Sequence, residues 1–485
     1  MVFSSQLFLF YFLPAVLLLY YSAPGRRGRH VLLTAASYVF YGWSNPLFVP
    51  LLLTSTLIDY TAALVMVRSG RTLDAQGLLL DPARPHTPRQ RAALLASIVS
   101  NLGLLGFFKY FNFGVDSLRA ITESVGLDAS GLALAYRVTL PLGISFYTFQ
   151  SLSYTIDVFR GRTAATRSLL DFACYVSMFP QLVAGPIVRF SDVADQLKDR
   201  SHSLEKFARG ISFLSLGLAK KVLIANPCGQ AADLAFDAAS LGAGEAWFGA
   251  AAYAFQIYFD FSGYSDMAIG LGLMLGFVFP KNFDSPYVSQ SITEFWHRWH
   301  ISLSTWLRDY LYVPLGGSHK GPTRTYLNLL LVMLLGGLWH GAAWNFVVWG
   351  GWHGALLAFE RVQGRRAVYE GAPAPLRVAV TFALVLIGWV FFRASSLSAA
   401  ADYLAAMAGL GGGDARSALT RALLWQPSYV LTMTVAAAVT WGCPQTWDWT
   451  RTLTPARAVT ALALFVAASA VLMTQSYNPF IYFIF

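Results

Sequence analysis

The sequence has few charged residues, few cysteines and no long polar stretch. Charged side chains make up 12% of its 485 residues, about half the share found in soluble domains. The three cysteines, Cys174, Cys228 and Cys443, lie too far apart in the sequence to form a metal or redox motif. The shortage of charge excludes an ordinary soluble protein, because so apolar a chain would expose surface that it could not cover.

Long apolar runs take the place of the missing charge. A membrane-spanning helix needs about 20 mostly apolar residues, and fewer where it is bent. Together with short loops, this length leaves room for about ten to twelve crossings. The sequence therefore predicts a single membrane-embedded domain over residues 1–485. The longest apolar runs cover residues 7–21, 94–108, 326–338, 376–392 and 458–473.

The net charge of +10 does not indicate a nucleic-acid partner, because the basic residues lie in loops beside apolar runs. The positive-inside rule places such loops, at 25–30 and 68–91, in the cytoplasm. The turn at residues 44–46 is then the outer tip of a helical hairpin, and the N-terminus is expected outside. The first run lacks a basic n-region and a small-residue cleavage site, so we expect it to be retained. The same alternation places the C-terminal tail, residues 474–485, outside.

Two segments depart from simple spanning helices. Residues 169–188 contain Pro180 and the Gly185–Pro186 pair, which break a helix and predict a re-entrant segment. Residues 280–324 combine basic residues with many Trp and Tyr, which favours interfacial helices with aromatic anchors. The predicted fold class is all-α, a polytopic transmembrane helical bundle with re-entrant and interfacial helices. No internal repeat of fixed period is apparent, which argues against an inverted-repeat transporter.

Four of the eight histidines cluster near one another in the sequence: His297, His300, His340 and His353. His340 follows an apolar run that begins near Tyr326, so it is expected about 20 Å into the hydrocarbon core. An ionisable residue at that depth is a candidate functional group. The alternative is a neutral histidine that hydrogen-bonds a backbone carbonyl. Nearby glycines at 336, 337 and 341 favour close approach of a backbone or ligand.

A metal site is the alternative reading of the same histidines. Glu294 and His297 have Glu-x-x-His spacing, which carboxylate-bridged metal proteins use, and His297 and His300 would share one helix face. Histidine-box oxygenases need many more clustered histidines, so no metal site is predicted. His353 lies thirteen residues beyond His340, so joint action would require a turn between them. The intramembrane Asp260 and Asp266 are expected to be structural.

Five segments, in order, resemble the membrane-bound O-acyltransferase (MBOAT) superfamily. The resemblance covers nearly the whole chain and is strongest with the bacterial branch that contains the alginate O-acetyltransferase membrane subunit. The D-alanyl transferases of teichoic acid synthesis are more distant. These core motifs lie within residues 141–354. The segments are PLGISFYTFQSLSY (141–154), FPQLVAGPIVRF (179–190), QIYFDFSGYSDMAIG (256–270), FWHRWHISLSTWLRDYLYVPLGGS (295–318) and GLWHGAAWNFVVWGGWHG (337–354).

The resemblance implies a cytoplasmic funnel and an outer cavity that meet near a catalytic histidine, His340. A neutral imidazole, with a pKa near 6.5, can take the proton of an acceptor hydroxyl as general base. The second family histidine maps onto His300, which would position the acyl donor or support His340. His297 stands where this branch often has arginine and is given no role. No bound cofactor is implied. Acetyl-coenzyme A is the expected donor, although an acyl carrier protein would enter from the same side.

The C-terminal FIYFIF, residues 480–485, resembles the FIYFxF ending of bacterial polymer-acylating systems. That resemblance implies that Tyr482 is an acyl relay, which accepts the acyl group and passes it to a secreted transferase. A phenol is more acidic than a serine hydroxyl, so its ester is a better onward donor. The x position is often basic in the family, but here it is Ile484. The alternative is an aromatic interfacial anchor.

The implied function is transfer of acetyl groups from a cytoplasmic thioester across the bacterial inner membrane, for O-acetylation of an alginate-like or other exported polysaccharide. The expected partners are a secreted or periplasmic esterase-like acyltransferase, the polysaccharide synthesis and export machinery, and membrane lipids. One alternative is transfer of another acyl group, such as D-alanyl, to a cell-envelope polymer. A polysaccharide or lipid transporter would explain the spans and buried charges, but not the histidine motifs.

Overall fold

The protein is all-helical. The computed structural model describes residues 1–132, 136–364, 366–411 and 415–480, which form helices and connecting turns. Within these ranges, β-structure is limited to one antiparallel bridge between Thr72 and Leu80. The predicted all-α class is thus confirmed. The proposed relay residue, Tyr482, lies outside the described residues. The chain divides into two compact units.

The first unit comprises Met1–Phe207 and Gly272–Pro280. A helix breaks near Pro180, as the sequence predicted. Pro180 lies in the first turn of a new short helix, where a residue without an N–H loses no hydrogen bond. The helices are α1 (Leu13–Ser22), α2 (Gly25–Gly42), α3 (Val49–Arg68), α4 (Pro88–Leu105), α5 (Phe111–Ser124), α6 (Ile144–Phe159), α7 (Leu169–Ser177), α8 (Phe179–Leu182) and α9 (Phe190–Lys198), with shorter π or 3₁₀ turns at Phe8–Phe12, Pro46–Phe48, Gly106–Tyr110 and Ser130–Leu132.

Polar side chains hold three helices of this unit together. The carboxylate of Asp59 on α3 is fully buried. It accepts hydrogen bonds from the Ser97 hydroxyl at 2.6 Å and from the Asn101 amide at 2.8 Å, both on α4. Ser97 also bonds Thr155 on α6 at 2.9 Å. Buried polar groups need such partners, so this network accounts for Asp59 as part of the helix packing.

The second unit comprises Ala208–Leu271 and Lys281–Phe485 and contains all four clustered histidines. Its helices are α10 (Leu204–Ala219, of which the first turn belongs to the first unit), α11 (Asn226–Phe236), α12 (Ala243–Met274, which ends in the first unit), α13 (Ile292–Arg298), α14 (Ile301–Leu307), α15 (Pro322–His340), α16 (Trp344–Val362), α17 (Ala374–Arg393), α18 (Leu397–Met407), α19 (Ala415–Leu424), α20 (Pro427–Gly442), α21 (Thr446–Trp449) and α22 (Pro455–Thr474), with π or 3₁₀ turns at Lys220–Ala225, Pro286–Val288 and Arg308–Tyr312.

Small residues bring α10 and α12 close together. A Cβ on Gly263 would lie 2.7 Å from the carbonyl oxygen of Gly217, a separation that real side chains do not adopt. On the same helix, Asp260 forms an ion pair with Lys221 at 2.8 Å. Asp266 forms an ion pair with Lys220 at 2.7 Å. These contacts agree with the structural roles predicted for the two aspartates.

Several helices are long and apolar enough to cross a membrane, which makes the chain a multi-pass membrane protein. Among the described residues, four helices meet that test by length and composition, and a pair bent by 59° adds a fifth. The ten to twelve crossings expected from the sequence remain a prediction. The qualifying segments are Pro46–Arg68, Pro88–Ser124, Ala374–Arg393 and Pro455–Thr474, with the bent pair Ser417–Leu424 and Pro427–Gly442.

Candidate active site

The candidate site is built on the hairpin of α15 and α16. Helix α15 ends at His340, and the extended backbone of Gly341 (φ −154°, ψ 147°) begins the turn back. The helices approach closely through glycines: a Cβ on Gly354 would lie 3.2 Å from the Cα of Leu330. The turn that joint action of His340 and His353 requires is therefore present. The ring of Trp349 lies 5.2 Å from both histidine rings, centroid to centroid.

His340 lies at the end of α15 in an aromatic pocket. Its ring is 5.0 Å from Trp339, 5.2 Å from Trp349 and 5.3 Å from Phe392. His340 is only 7% exposed, and its exposed part lines a cavity of about 470 Å³. A substrate group in the cavity can therefore meet an imidazole that is otherwise shielded from water.

The cavity is apolar along its walls and carries basic residues. Its lining also includes His297, Arg308 and Arg361. Arg361 follows Trp349 by twelve residues on α16, about 18 Å along the helix axis, so the cavity joins His340 to a distant basic end. The apolar walls include Leu303, Leu307, Leu329, Val332, Met333 and Leu357.

The predicted shared helix face of His297 and His300 is wrong. Helix α13 ends at Arg298, and His300 adopts the left-handed conformation (φ 44°, ψ 56°) at the start of α14. Two backbone hydrogen bonds hold the chain in this bend: Asp284 N–H to Arg298 O and Ile301 N–H to Asn282 O, both 2.9 Å. A left-handed non-glycine residue costs on the order of 1–3 kcal/mol and persists only where its surroundings impose it.

His300 is fully buried beside His340. The two imidazole centroids are 6.4 Å apart, and the ring of Phe261 on α12 packs edge-on against His300 at 4.6 Å. His300 does not line the cavity, so it is placed to act on His340 or through it rather than on a molecule in the cavity. The structure thus brings together both histidines that the resemblance singled out.

The side chains of the alternative metal site do not converge. Glu294 pairs with Arg298 at 2.9 Å and accepts from the Gln290 N–H at 2.8 Å. His297 lines the cavity, whereas His300 is turned into the protein interior. Across the part of the chain that the structure describes, no group of three or more His, Cys, Asp or Glu side chains is arranged to hold a metal ion.

The aromatic residues around α13 are core residues, and the prediction that they anchor the protein at the membrane interface is wrong. Tyr287 and Trp299 are each 2% exposed and belong to one hydrophobic cluster with Trp389. The indole N–H of Trp389 donates to the Tyr287 hydroxyl at 3.0 Å. A buried Tyr or Trp needs a hydrogen-bond partner for its polar atom, and Tyr287 and Trp389 are partners of each other.

Sequence reasoning missed Glu360, which holds α13 in place. Its carboxylate accepts from the backbone N–H groups of Ile292 at 2.7 Å and Thr293 at 2.9 Å. These N–H groups belong to the first turn of α13 and have no partner within the helix, and a negative charge is favourable there. A single glutamate near the end of α16 gives no sequence signal of this contact.

The described part of the tail is docked against unit two rather than free. The Tyr477 hydroxyl donates to Asp233 on α11 at 2.5 Å, and Asp233 pairs with Arg393 at 2.6 Å. Asn226 donates to the Tyr477 carbonyl at 3.3 Å, and Lys221 donates to the carbonyl of Pro479. The tail is thus fixed by charged side chains from its own unit.

The end of the described tail packs against α12. Phe480 is 5% exposed, and its ring lies 4.6 Å from that of Tyr264 on α12. Tyr264 lies one helical turn after Phe261, whose ring contacts His300, so both residues occupy the same face of α12. The last described residue of the chain therefore packs on the face of α12 that also contacts His300.

The structure thus places His340 at an apolar cavity of a membrane-embedded helical bundle, with His300 buried beside it. The chain belongs to the membrane-bound O-acyltransferase family, whose sequence profile matches residues 158–392. The protein is therefore an O-acyltransferase, and its relatives indicate an O-acetyltransferase.

The relatives include alginate O-acetylases and other envelope acyltransferases. The chain is 47% identical to the probable alginate O-acetylase of Pseudomonas putida over 509 aligned positions, which cover 100% of both chains. It is 36% identical to the peptidoglycan O-acetyltransferase of Helicobacter pylori, covering 85% of this chain and 80% of that one. It is 27% identical to the teichoic acid D-alanyltransferase of Bacillus subtilis, covering 52% of this chain and 68% of that one.

Proposed function

We propose that the protein moves acetyl groups from a cytoplasmic thioester donor across the inner membrane for O-acetylation of an exported polysaccharide. The observation that carries the proposal is the cavity that joins His340 to Arg361. Arg361 lies in the last turn of α16, at the start of a basic segment that the positive-inside rule assigns to the cytoplasm. The donor then enters from the cytoplasm, and both chain termini lie outside.

In the proposed step, His340 acts as general base. It takes the proton of the acceptor hydroxyl while the oxygen attacks the thioester carbonyl. The tetrahedral intermediate collapses by breaking the C–S bond, and the departing thiolate receives the proton from the imidazolium. His300 supports His340 from behind. The apolar walls keep water, the competing nucleophile, away from the thioester.

The basic end of the cavity suits the anionic end of the donor. Acetyl-coenzyme A and carrier-protein arms both carry phosphate, which arginine binds through charge-assisted hydrogen bonds. Arg308 is already paired with Asp309 at 2.7 Å, so Arg361 is the better candidate for a donor phosphate. No protein cofactor is required in this scheme.

Replacing Arg361 with glutamine should raise the KM for the donor about tenfold and leave kcat nearly unchanged, because a phosphate contact far from the thioester contributes equally to substrate and transition state. Steady-state kinetics with acetyl-coenzyme A measure both constants. The matched control is Arg366→Gln just after α16, since Arg366 pairs with Glu370 outside the cavity. An unchanged KM for Arg361→Gln would show that Arg361 does not bind the donor phosphate.

We further propose that Tyr482 accepts the acetyl group and hands it to a periplasmic esterase-like acyltransferase. Tyr482 follows Phe480 by two residues, which span at most about 7 Å of extended chain. Phe480 packs on the same face of α12 as the residue that contacts His300, which favours a tail that approaches the histidine pair. The tail contacts therefore support the relay.

Loosening the tail anchor should slow polymer acetylation without disabling the site. Tyr477→Phe removes the hydroxyl that donates to Asp233, a bond to a charged group of about 1.5–3 kcal/mol. We expect polymer acetylation in cells to fall about tenfold, and limited chymotrypsin digestion to cleave the tail faster. Tyr429→Phe, outside the tail, is the control. If the tail resists proteolysis equally in both variants, the Asp233 contact does not anchor it.

The polymer is proposed from the relatives, whose names specify alginate and peptidoglycan. We place this protein with the polysaccharide synthesis and export machinery. Comparing the acetyl content of the exopolysaccharide from cells with and without the gene tests the proposal. Loss of acetyl groups from polymer that is still exported supports it. Loss of D-alanyl groups instead, or of export with retained acetylation, favours the alternatives.

A further inference from the structure

A single asparagine in the loop between α12 and α13 contacts His300. The side-chain oxygen of Asn282 lies 3.1 Å from His300 Nδ1. The same oxygen accepts from the backbone N–H of Ser302 at 3.2 Å and from the Ser302 hydroxyl at 2.9 Å. The Asn282 side-chain nitrogen donates to the Ser265 hydroxyl at 2.9 Å. Asn282 is itself 1% exposed.

The orientation of the Asn282 amide follows from these contacts. A backbone N–H can only donate, so the atom that faces Ser302 N–H must be the oxygen. A flipped amide would place its NH₂ group against that N–H and lose the bond. The amide oxygen is therefore fixed toward His300, and the Ser265 contact holds the opposite end.

The orientation of Asn282 in turn decides the tautomer of His300. An amide oxygen cannot donate, so Nδ1 of His300 must carry the proton of their hydrogen bond. A neutral imidazole has one N–H, which leaves Nε2 with a lone pair. The other tautomer would set the Nδ1 lone pair against the Asn282 oxygen.

The Nε2 atom of His300 is buried, and within the described residues it has no hydrogen-bond partner. The rings around His300 are those of Phe261, Phe283, Trp339 and His340. An imidazole nitrogen whose lone pair accepts no hydrogen bond is available to accept a proton. This is the form that an acyltransferase base requires.

We propose that Asn282 is a positioning residue that keeps His300 in the Nδ1–H tautomer, so that Nε2 is the atom that accepts a proton during acyl transfer. The inference rests on the proposed role of the histidine pair. The proton that leaves the acceptor hydroxyl is taken by His340 and passes from there to Nε2 of His300. It returns to the departing thiolate, and the bond from Nδ1–H to Asn282 persists throughout and strengthens while the ring is charged.

The test is a set of substitutions at Asn282, read in single-turnover transfer of labelled acetyl groups. Asn282→Leu keeps the approximate volume but removes the acceptor, and should lower the rate about 10²-fold with unchanged KM for the donor. Asn282→Asp keeps an acceptor at the same place, and the groups of Ser265, Ser302 and His300 that face it can all donate to a carboxylate. It should therefore retain activity within about tenfold.

A double-mutant cycle separates positioning from folding. In a His300→Ala background, Asn282→Leu should cause no further loss, because residues that act as one unit are non-additive. Asn328→Leu is the control. Asn328 is a buried asparagine that donates to the Gly317 carbonyl at 3.0 Å, and its effect should be the same in both backgrounds.

The outcomes distinguish this inference from the proposed function. If His300→Ala is fully active, the proposed role of His300 in acyl transfer is wrong. If His300→Ala is inactive but Asn282→Leu is active, or if Asn282→Leu costs the same in both backgrounds, only the positioning role falls. Should Asn282→Leu fail to fold, a loss of more than about 10²-fold in a folded Asn282→Asp would equally overturn the inference.

Discussion

Replacement of His340 by alanine is expected to lower acyl transfer by at least about 10²-fold, because the variant loses the proposed general base, which lines the cavity beside the aromatic pocket. Expression and melting temperature should stay nearly unchanged. The imidazole ring packs against Trp349 and Phe392, but we expect its main contribution to be proton transfer rather than stability of the fold. Transfer of labelled acetyl groups and thermal unfolding in detergent measure the two effects.

The control is His319→Ala, which removes an exposed histidine from the turn before α15. It should transfer acetyl groups at the normal rate. If the His340 variant keeps more than about a tenth of the activity, it is not the general base. If it acetylates normally but stops polymer export, the transporter reading replaces the enzyme.

Tyr482→Phe is expected to abolish acetylation of the polymer while leaving the protein folded and membrane-inserted. The substitution removes only the phenol oxygen that would carry the acetyl ester and keeps the aromatic ring. In wild-type cells that make the polymer, mass spectrometry of the C-terminal peptide should show an acetyl adduct on Tyr482. The same adduct should be missing from His340→Ala cells.

The matched control for the relay is Tyr136→Phe, which removes the hydroxyl of a tyrosine that is 90% exposed. It should leave polymer acetylation unchanged. Normal acetylation by Tyr482→Phe would show that the tail is an anchor without a chemical role. It would leave the assignment of His340 intact, because the acceptor hydroxyl would then come from another molecule.

Features that depend on local sequence could be predicted. The break near Pro180 follows from proline chemistry alone. The close packing of α10 and α12 follows from their small residues. Each of these depends on a few neighbouring residues and on the geometry of one helix.

The bend at His300 could not be predicted, because its cause lies elsewhere in the chain. The three-residue spacing of His297 and His300 predicted one helix with both residues on the same face. Hydrogen bonds from the segment around Asn282 interrupt it and turn His300 away from His297. Helical spacing gave the wrong face because a tertiary contact outweighed local propensity.

The tail anchor was equally hidden. Tyr477 and Asp233 are 244 positions apart, and Lys221 and Pro479 are 258 apart. One sequence carries no signal that such distant residues meet. The prediction for the aromatic residues around α13 was wrong for a related reason. An interfacial belt and a buried cluster have the same composition, and only the fold distinguishes them.

The central claim is that His340, as general base, promotes transfer of an acetyl group from a cytoplasmic donor to an acceptor on the other side of the membrane. The most direct measurement uses sealed vesicles and labelled acetyl-coenzyme A, which does not cross the membrane. The labelled donor is supplied on the side of the membrane where Arg361 lies. The account predicts label on the C-terminal peptide in wild-type protein and none in His340→Ala. Equal labelling of both proteins, or labelling only when the donor is supplied to the opposite side, would contradict it.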